Sequence, residues 1–477
     1  MTYPLKYYLD TFGVTESLLE TLVAEALGRG GSWCDLFFEN TSYGNLLLRD
    51  SEVNSGGLHV DFGAGIRVLS GDKTGYAYSE STSRRELLQA AAAASAIATG
   101  QAPAGFRSGA KTFLCTPSSP DRYPVKSSWR DTGAEGFLPF MTALDKSIRS
   151  RDSRIIKVIA MLSWQVSDIL MYNSLGEITF DTRPMGSVSV SVIAAQGNRT
   201  ENKSVSRSFR TGAEMLSPAL MEESAADAVK GLDQMFAAGR PKGGKMSVVM
   251  GAGASGILLH EAMGHAFEAD FNRKGQSVFS GKMGLRVCPE GISIIDDGTI
   301  AANRGSLNFD DEGVPGQKTY MVEDGILTSY LHDRISASFY GVSPTGNGRR
   351  ESFRYNPIPR MRTTYMEGGD SSPESIIASV KKGVYVDEFS NGQVKIGEGD
   401  FTFYVKSGFL IEDGRLTMPV KDINIIGNGP EVLKDIRAVG NDPRIDNGTW
   451  VCGKEQNVPV SCGMPTVLVG SLTVGGE

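Results

Sequence analysis

Runs of β-forming residues broken by turns set the strongest limit on what this chain can fold into. DLFFEN, NLLLRD, AGIRVLS and GYAYSE in the first hundred residues are short, apolar and separated by turn residues. IIKVIAMLSW, SDILMYN, GEITFDT and SVSVSVIAA follow the same pattern further on. With 57 glycines in 477 residues, turns and hairpins are favoured over long helices. Both groups therefore read as strands, the first as an antiparallel meander. Helix signals are local. LLETLVAEALGRGG, from Leu18, is amphipathic and ends in glycines. Ser83 caps a helix from about Arg84 into the alanines of LLQAAAAASAIATG. Another helix lies around Leu144. Ser217-Pro218 opens one that runs to about Ala238, with Ser as cap and Pro in the first turn. SSPESIIASVKKG is the last. The Pro- and Ser-rich stretch near residues 102 to 130 reads as loop.

The length suits two domains better than one core. RPKGGK, residues 240 to 245, reads as the seam. The expected fold class is α+β. An N-terminal α/β domain with an antiparallel sheet spans 1–239. A β-rich C-terminal domain, 240–477, carries the helix around HEAMGH. A formal charge of −7 argues against a nucleic-acid partner, which needs a basic face. The start, MTYPLKYYLD, lacks the apolar core of an export signal, and no run is long enough to cross a bilayer. The expected compartment is the cytosol, without membrane attachment. Five scattered cysteines argue against a disulfide framework and leave one free to act as a ligand.

HEAMGH, residues 260 to 265, holds two of the four histidines and a glutamate. A catalytic zinc takes three protein ligands and keeps a fourth position for water. His260 and His265 would supply two ligands and Glu261 a carboxylate to handle the proton of that water. The spacing is unusual, since zinc-protease helices place their histidines four apart. Five residues on a regular α-helix leave two side chains about 140° apart, and one extra residue in the turn reduces this to about 40°. The spacing thus predicts a widened, π-type turn, with Gly264 as the place where the backbone gives. The bland alternative is a surface pair between Glu261 and His265 on an ordinary helix. Candidates for the third ligand are Glu268, Asp270, Cys288, Cys452 and Cys462. Asp270 is near in sequence but one or two turns along. Residue chemistry does not separate Cys452 from Cys462.

Two other motifs compete. GAGASG, residues 251 to 256, fits G-x-G-x-x-G between a strand and a helix, with Asp270 as a possible ribose acid. That would make the chain a dinucleotide-binding oxidoreductase. The polar, Gly-rich FNRKGQSVFSGKMG does not suit the second buried strand such a fold requires. Close helix–strand packing explains the glycines equally simply. PTGNGRRESFRYNPIPRMRTTY, from Pro344, contains Arg349, Arg350, Arg354, Arg360 and Arg362. It reads either as a carboxylate-recognising segment or, preferably, as a solvated loop with internal salt bridges. His59 and His332 have no motif around them and read as structural or surface groups.

Beyond about residue 246 a series of ordered motifs appears: HEAMGH, QSVFSG, IDDGT, RGSLNFDDEGVPGQ, PTGNGRRES, PIPRM, GNDPRIDNG, CGKEQNVPV and LTVGG. Together they resemble the TldD/PmbA family of peptidases. The resemblance implies a zinc metallopeptidase acting on unfolded or short peptides. It implies His260, His265 and Cys452 as zinc ligands and Glu261 as general base, and it favours Cys452 over Cys462. The metal motif is kept, as in the TldD kind of chain. The expected partner is a PmbA- or TldE-like sister chain or a second copy. A catalytically silent subunit of a peptidase complex is the other reading the resemblance leaves open. The family also implies a substrate held as an added strand near the metal, inside a large cavity.

Overall fold

In the computed structural model, which describes residues 3–98, 114–115 and 119–476, the short β-runs of the first half fuse into long strands. Trp33–Arg49 and Glu52–Ser70 are 17 and 19 residues long, and Ile155–Asn173 and Glu177–Gln196 are 19 and 20. No turn separates DLFFEN from NLLLRD. Gly44, between them, lies mid-strand opposite Trp164, and a Cβ there would overlap the indole. The actual reversal is Asp50-Ser51, with φ of 52° and 70°. Two left-handed residues make the hairpin turn whose twist matches its strands. Lys73–Ser79, Glu52–Ser70, Trp33–Arg49, Ile155–Asn173, Glu177–Gln196 and Arg199–Phe209 pair in that order, all antiparallel. Leu114–Cys115 adds a short parallel pairing. Most of the stretch expected as loop near residue 102, through 113 and again at 116–118, lies outside the described residues.

The helices cover this sheet in two groups. Leu5–Phe12, Glu16–Leu27 and Arg84–Ala98 bury Leu19, Leu22, Ala91 and Ala94 against Leu36, Phe38 and Ile66. Leu138–Arg151 and Pro218–Val229 bury Met141, Leu144 and Ala225 against Leu162 and Val190. Thr15, Ser83 and Ser217 accept backbone N–H bonds at helix starts, as capping requires. The helix expected to reach Ala238 instead breaks at Gly231, which is left-handed (φ 80°), and resumes as Leu232–Ala237.

In the second half, Lys382–Val394, Gly244–Met250, Val467–Val474, Ile423–Asn428 and Asp400–Glu412 pair in sequence. The first and last of these also pair with each other, closing a five-stranded barrel. Closure removes the open edges of those strands. Buried Val248, Met250, Val384, Phe403 and Ile425 from the barrel join one apolar core with the helical segment after Gly256. A second sheet runs Ile326–Leu327, Lys318–Glu323, Ile294–Asp297, Thr363–Met366, Ser461–Met464, Arg444–Asp446. The α+β class therefore holds. Among the described residues, no helix is long and apolar enough to cross a membrane.

Buried ion pairs join the two halves. Arg67 pairs with Asp35 and, at 2.7 Å, with Glu312. Arg183 meets Asp311 at 2.6 Å. The segment from Pro344 departs from the solvated loop expected of it. Arg349, Arg350, Arg360 and Arg362 are all buried, and only Arg354 is partly open, pairing with Asp61 and Glu80. Each of the four buried guanidinium groups of this segment donates to at least one backbone carbonyl, while Nε of Arg349, Arg350 and Arg360 and both Nη atoms of Arg362 are buried without a hydrogen-bond partner.

Candidate metal centre

The approach to the site is set by glycines. Strand Gly244–Met250 ends in GAGASG, where Gly253 is left-handed (φ 94°). A Cβ on Gly256 would collide with the backbone of Gly463 in strand Ser461–Met464. These glycines serve close packing. The dinucleotide alternative lacks its scaffold, because the next strand, Ile294–Asp297, lies in a different sheet from Gly244–Met250. Asp270 is also engaged elsewhere, accepting from Lys454 Nζ at 2.8 Å.

The helix that follows is not regular. Ile257–Leu259 is α-helical, His260–Gly264 is a π-turn, and His265–Phe267 is 3-10. The widened turn required by the histidine spacing is thus present. Gly264 matters for a second reason, since a Cβ there would overlap the sulfur of Met361. The two imidazole rings lie on one side, with centroids 5.2 Å apart. The helix expected around HEAMGH is interrupted at Glu268, where ψ turns to 126°. There the backbone pairs with Leu331 instead, through bonds of 3.0 Å on either side of Glu268.

Cys452 arrives on a tight hairpin, Val451–Lys454 with Gln456–Pro459, turned at Glu455 (φ 58°). Its Sγ is 3.4 Å from His265 Nε2. Ligand atoms of His260, His265 and Cys452 all lie within 4.8 Å of one another. Zinc bonds of about 2.3 Å to sulfur and 2.0 Å to nitrogen, at a tetrahedral angle, put S and N about 3.5 Å apart. The sulfur-to-nitrogen spacing fits. So does His260, whose two ring nitrogens are buried without any hydrogen-bond partner. An imidazole left in that state is costly unless something binds it. The other candidates fall away from this group. Cys288 and Cys462 are buried free thiols outside it. Glu268 and Asp270 stand behind it. Glu261 sits beside it, Oε2 4.0 Å from His265 Nε2, with its side chain partly open to solvent.

Glu268 has a different role from the one the sequence suggested. Its Oε2 is 2.9 Å from His265 Nδ1, so it fixes the ring and leaves Nε2 facing Cys452. A carboxylate on the far nitrogen of a ligating histidine is a recurrent device for orienting it. Burial alone would raise the pKa of Glu268. Lys454, His265 and Arg360 outweigh that and hold it at about 2. Lys454 Nζ is 3.0 Å from Glu268, and Arg360 also donates to the Cys452 carbonyl at 2.6 Å. Burial opposes charge on His265, but Glu268 and Cys452 reverse the balance and keep its pKa well above the usual value. Burial likewise opposes a thiolate at Cys452, and His260 and His265 overcome it, holding the thiol well below its usual value. Thiolate is the form that binds metal. Lys454 escaped the sequence reading, although it lies two residues from Cys452, and Arg360 was named there only within the arginine-rich segment from Pro344. For Glu268→Gln we expect metal affinity to fall about 10- to 100-fold, measured by competition with a chelator. Unchanged affinity would deny the Nδ1 contact any part in holding the ring.

Comparison with known proteins identifies the family. Three family models match the chain: PmbA/TldA metallopeptidase domain 1 over residues 34–98, the central domain over 128–232, and the C-terminal domain over 243–476. A protein of Haemophilus influenzae named metalloprotease TldD homolog is 38% identical over 94% of both chains. A zinc metalloprotease TldD homolog of Saccharolobus solfataricus is 32% identical over 61% of this chain and 65% of its own. Among solved structures, a candidate modulator of a DNA gyrase from Thermotoga maritima has the same fold, with a TM-score of 0.75 and 23% identity over 96% of this chain and 100% of that one. TldE from Thermococcus kodakarensis superimposes with a TM-score of 0.74 at 19% identity, covering 96% of this chain and 100% of its own.

Proposed function

The chain belongs to the PmbA/TldD metallopeptidase family, and from that premise we propose that it is a zinc peptidase hydrolysing unfolded or short peptides. The observation that carries the zinc reading is the trio of His260, His265 and Cys452, with the ring nitrogens of His260 buried and otherwise unpartnered. Among the described residues no fourth His, Cys, Asp or Glu joins them. Three ligands suit a catalytic site, whereas a structural zinc takes four, and this weighs against a silent subunit. Bound there, zinc would lower the pKa of a water towards neutrality and polarise the scissile carbonyl.

The remaining work falls to side chains of this chain. Glu261 takes the proton of the attacking water and passes it to the leaving amine. Its partial exposure gives both molecules access to the carboxylate. Glu268 keeps His265 in one orientation throughout, backed by Lys454 and Arg360. An extended peptide held as an added strand near the metal would gain affinity without sequence preference. As the partner we propose a TldE-like sister chain or a second copy. The test is metal removal. Chelation should abolish cleavage of a short unstructured peptide, and about one zinc per chain should restore it. Cleavage that survives complete removal of metal would overturn the zinc reading.

A further inference from the structure

A cavity of about 480 Å³ lies between the N-terminal sheet and the segments around Arg349 and Pro459. Its size is that of a ligand pocket. Five arginines line it (Arg183, Arg210, Arg304, Arg349 and Arg350) against three carboxylates, those of Glu39, Asp311 and Glu351. Two of the arginines are neutralised, Arg183 by Asp311 and Asp181, and Arg350 by Asp35. Arg210, Arg304 and Arg349 are not. All three are buried, and among the described residues none has a carboxylate within ion-pair distance. Arg210 Nε donates to the Arg304 carbonyl at 3.2 Å. Arg304 reaches the Trp450 carbonyl, Ser208 Oγ and Met185 Sδ. Arg349 donates to the carbonyls of Met361 and Pro459, while its Nε is buried and unpartnered. Three desolvated guanidinium groups without a counter-ion are expensive unless a ligand supplies the negative charge. Burial pushes Arg210 and Arg304 down to about 10, so both still carry charge at neutral pH.

The place of this cavity relative to the metal centre suggests the ligand. Pro459, which Arg349 touches at 2.8 Å, is the cross-strand partner of Val451, the residue before Cys452. Alternation along the hairpin turns Cys452 and Lys454 towards the histidines, and Val451 and Asn457 to the other face, at the cavity wall. Arg349 is therefore on the order of 10 Å from the thiol, the reach of roughly three extended residues. We propose that Arg210, Arg304 and Arg349 bind the C-terminal carboxylate of a peptide whose scissile bond lies at the metal centre. The assignment rests on the peptidase reading for the identity of the ligand. Guanidinium groups suit the task because their paired N–H donors match a carboxylate. Recognition of the chain end would confine cleavage to the last few residues of short peptides. It would also spare the interior of long chains, which have no carboxylate to place there.

Binding can be separated from cleavage by using the zinc-loaded Glu261→Gln protein and calorimetry with one unstructured pentapeptide in three forms. These are the free acid, the C-terminal amide, and the amide with a penultimate Glu. The free acid should bind at least about tenfold tighter than the simple amide. In a Glu261→Gln, Arg210→Met double variant that preference should shrink to within about twofold. Arg210 makes the fewest internal bonds of the three, and a melting temperature for the double variant keeps loss of fold distinct from loss of the site. Equal binding of acid and amide would overturn the proposal. So would a Glu-bearing amide binding as tightly as the free acid, because the site would then read acidic side chains. An acid preference in a protein whose wild type cleaves nothing would sustain the carboxylate site while removing the peptidase reading.

Discussion

Glu261→Gln and the wild type are both expected to bind about one zinc per chain, and the variant is expected to lose nearly all hydrolysis. Glutamine keeps the length and most of the shape of the side chain but cannot take up a proton. Loss of a general base typically costs about 100- to 10,000-fold in rate. Metal binding should survive because the carboxylate is 4.0 Å from His265 Nε2 and belongs to neither imidazole. Glu268, which bonds to His265, is untouched. Paired metal analysis and peptide cleavage check this. Full activity in the glutamine variant would free Glu261 from the role of base. Loss of metal with loss of activity would make Glu261 part of the binding site itself.

The second large effect concerns the two buried cysteines of the last thirty residues. Cys452→Ser should empty the site, with a loss of zinc affinity exceeding the roughly 10- to 100-fold that an outer hydrogen-bond partner is worth. A serine oxygen is a poor substitute for a thiolate that sits 3.4 Å from His265 and is held well below its usual pKa by two histidines. Cys462→Ser should leave zinc content unchanged. Its thiol lies outside the ligand group, and burial, with Asp446 and Glu261 nearby, pushes its pKa up, away from the metal-binding form. Equal metal loss in both variants would contradict the geometry.

The five-residue histidine spacing was legible because helix geometry leaves few ways to bring both rings together, and the π-turn is the one found. Cys452 was not legible from chemistry. It lies 187 residues from His265, and no local pattern distinguishes it from Cys462. Resemblance to a family supplied that choice. Glu268 was visible only as a candidate ligand. Its turn out of the helix, caused by pairing with Leu331, is a long-range event that decides which side of His265 it meets. The same holds for Gly44, where sequence suggests a turn and packing against Trp164 demands a strand. The arginines from Arg349 onward illustrate the opposite error. A run of charges reads as solvated, yet the fold buries four of them by offering backbone carbonyls that composition does not reveal.

The barrel ties distant parts of the sequence into one folding event. Strand Val467–Val474 sits between Gly244–Met250 and Ile423–Asn428, so the ring closes only when this strand meets one that lies more than two hundred residues earlier. The Cys452 thiol is likewise brought to His260 and His265 from far along the sequence. Without Val467–Val474 the ring stays open between Gly244–Met250 and Ile423–Asn428, and without the Val451–Lys454 hairpin strand no thiol stands beside the two histidines.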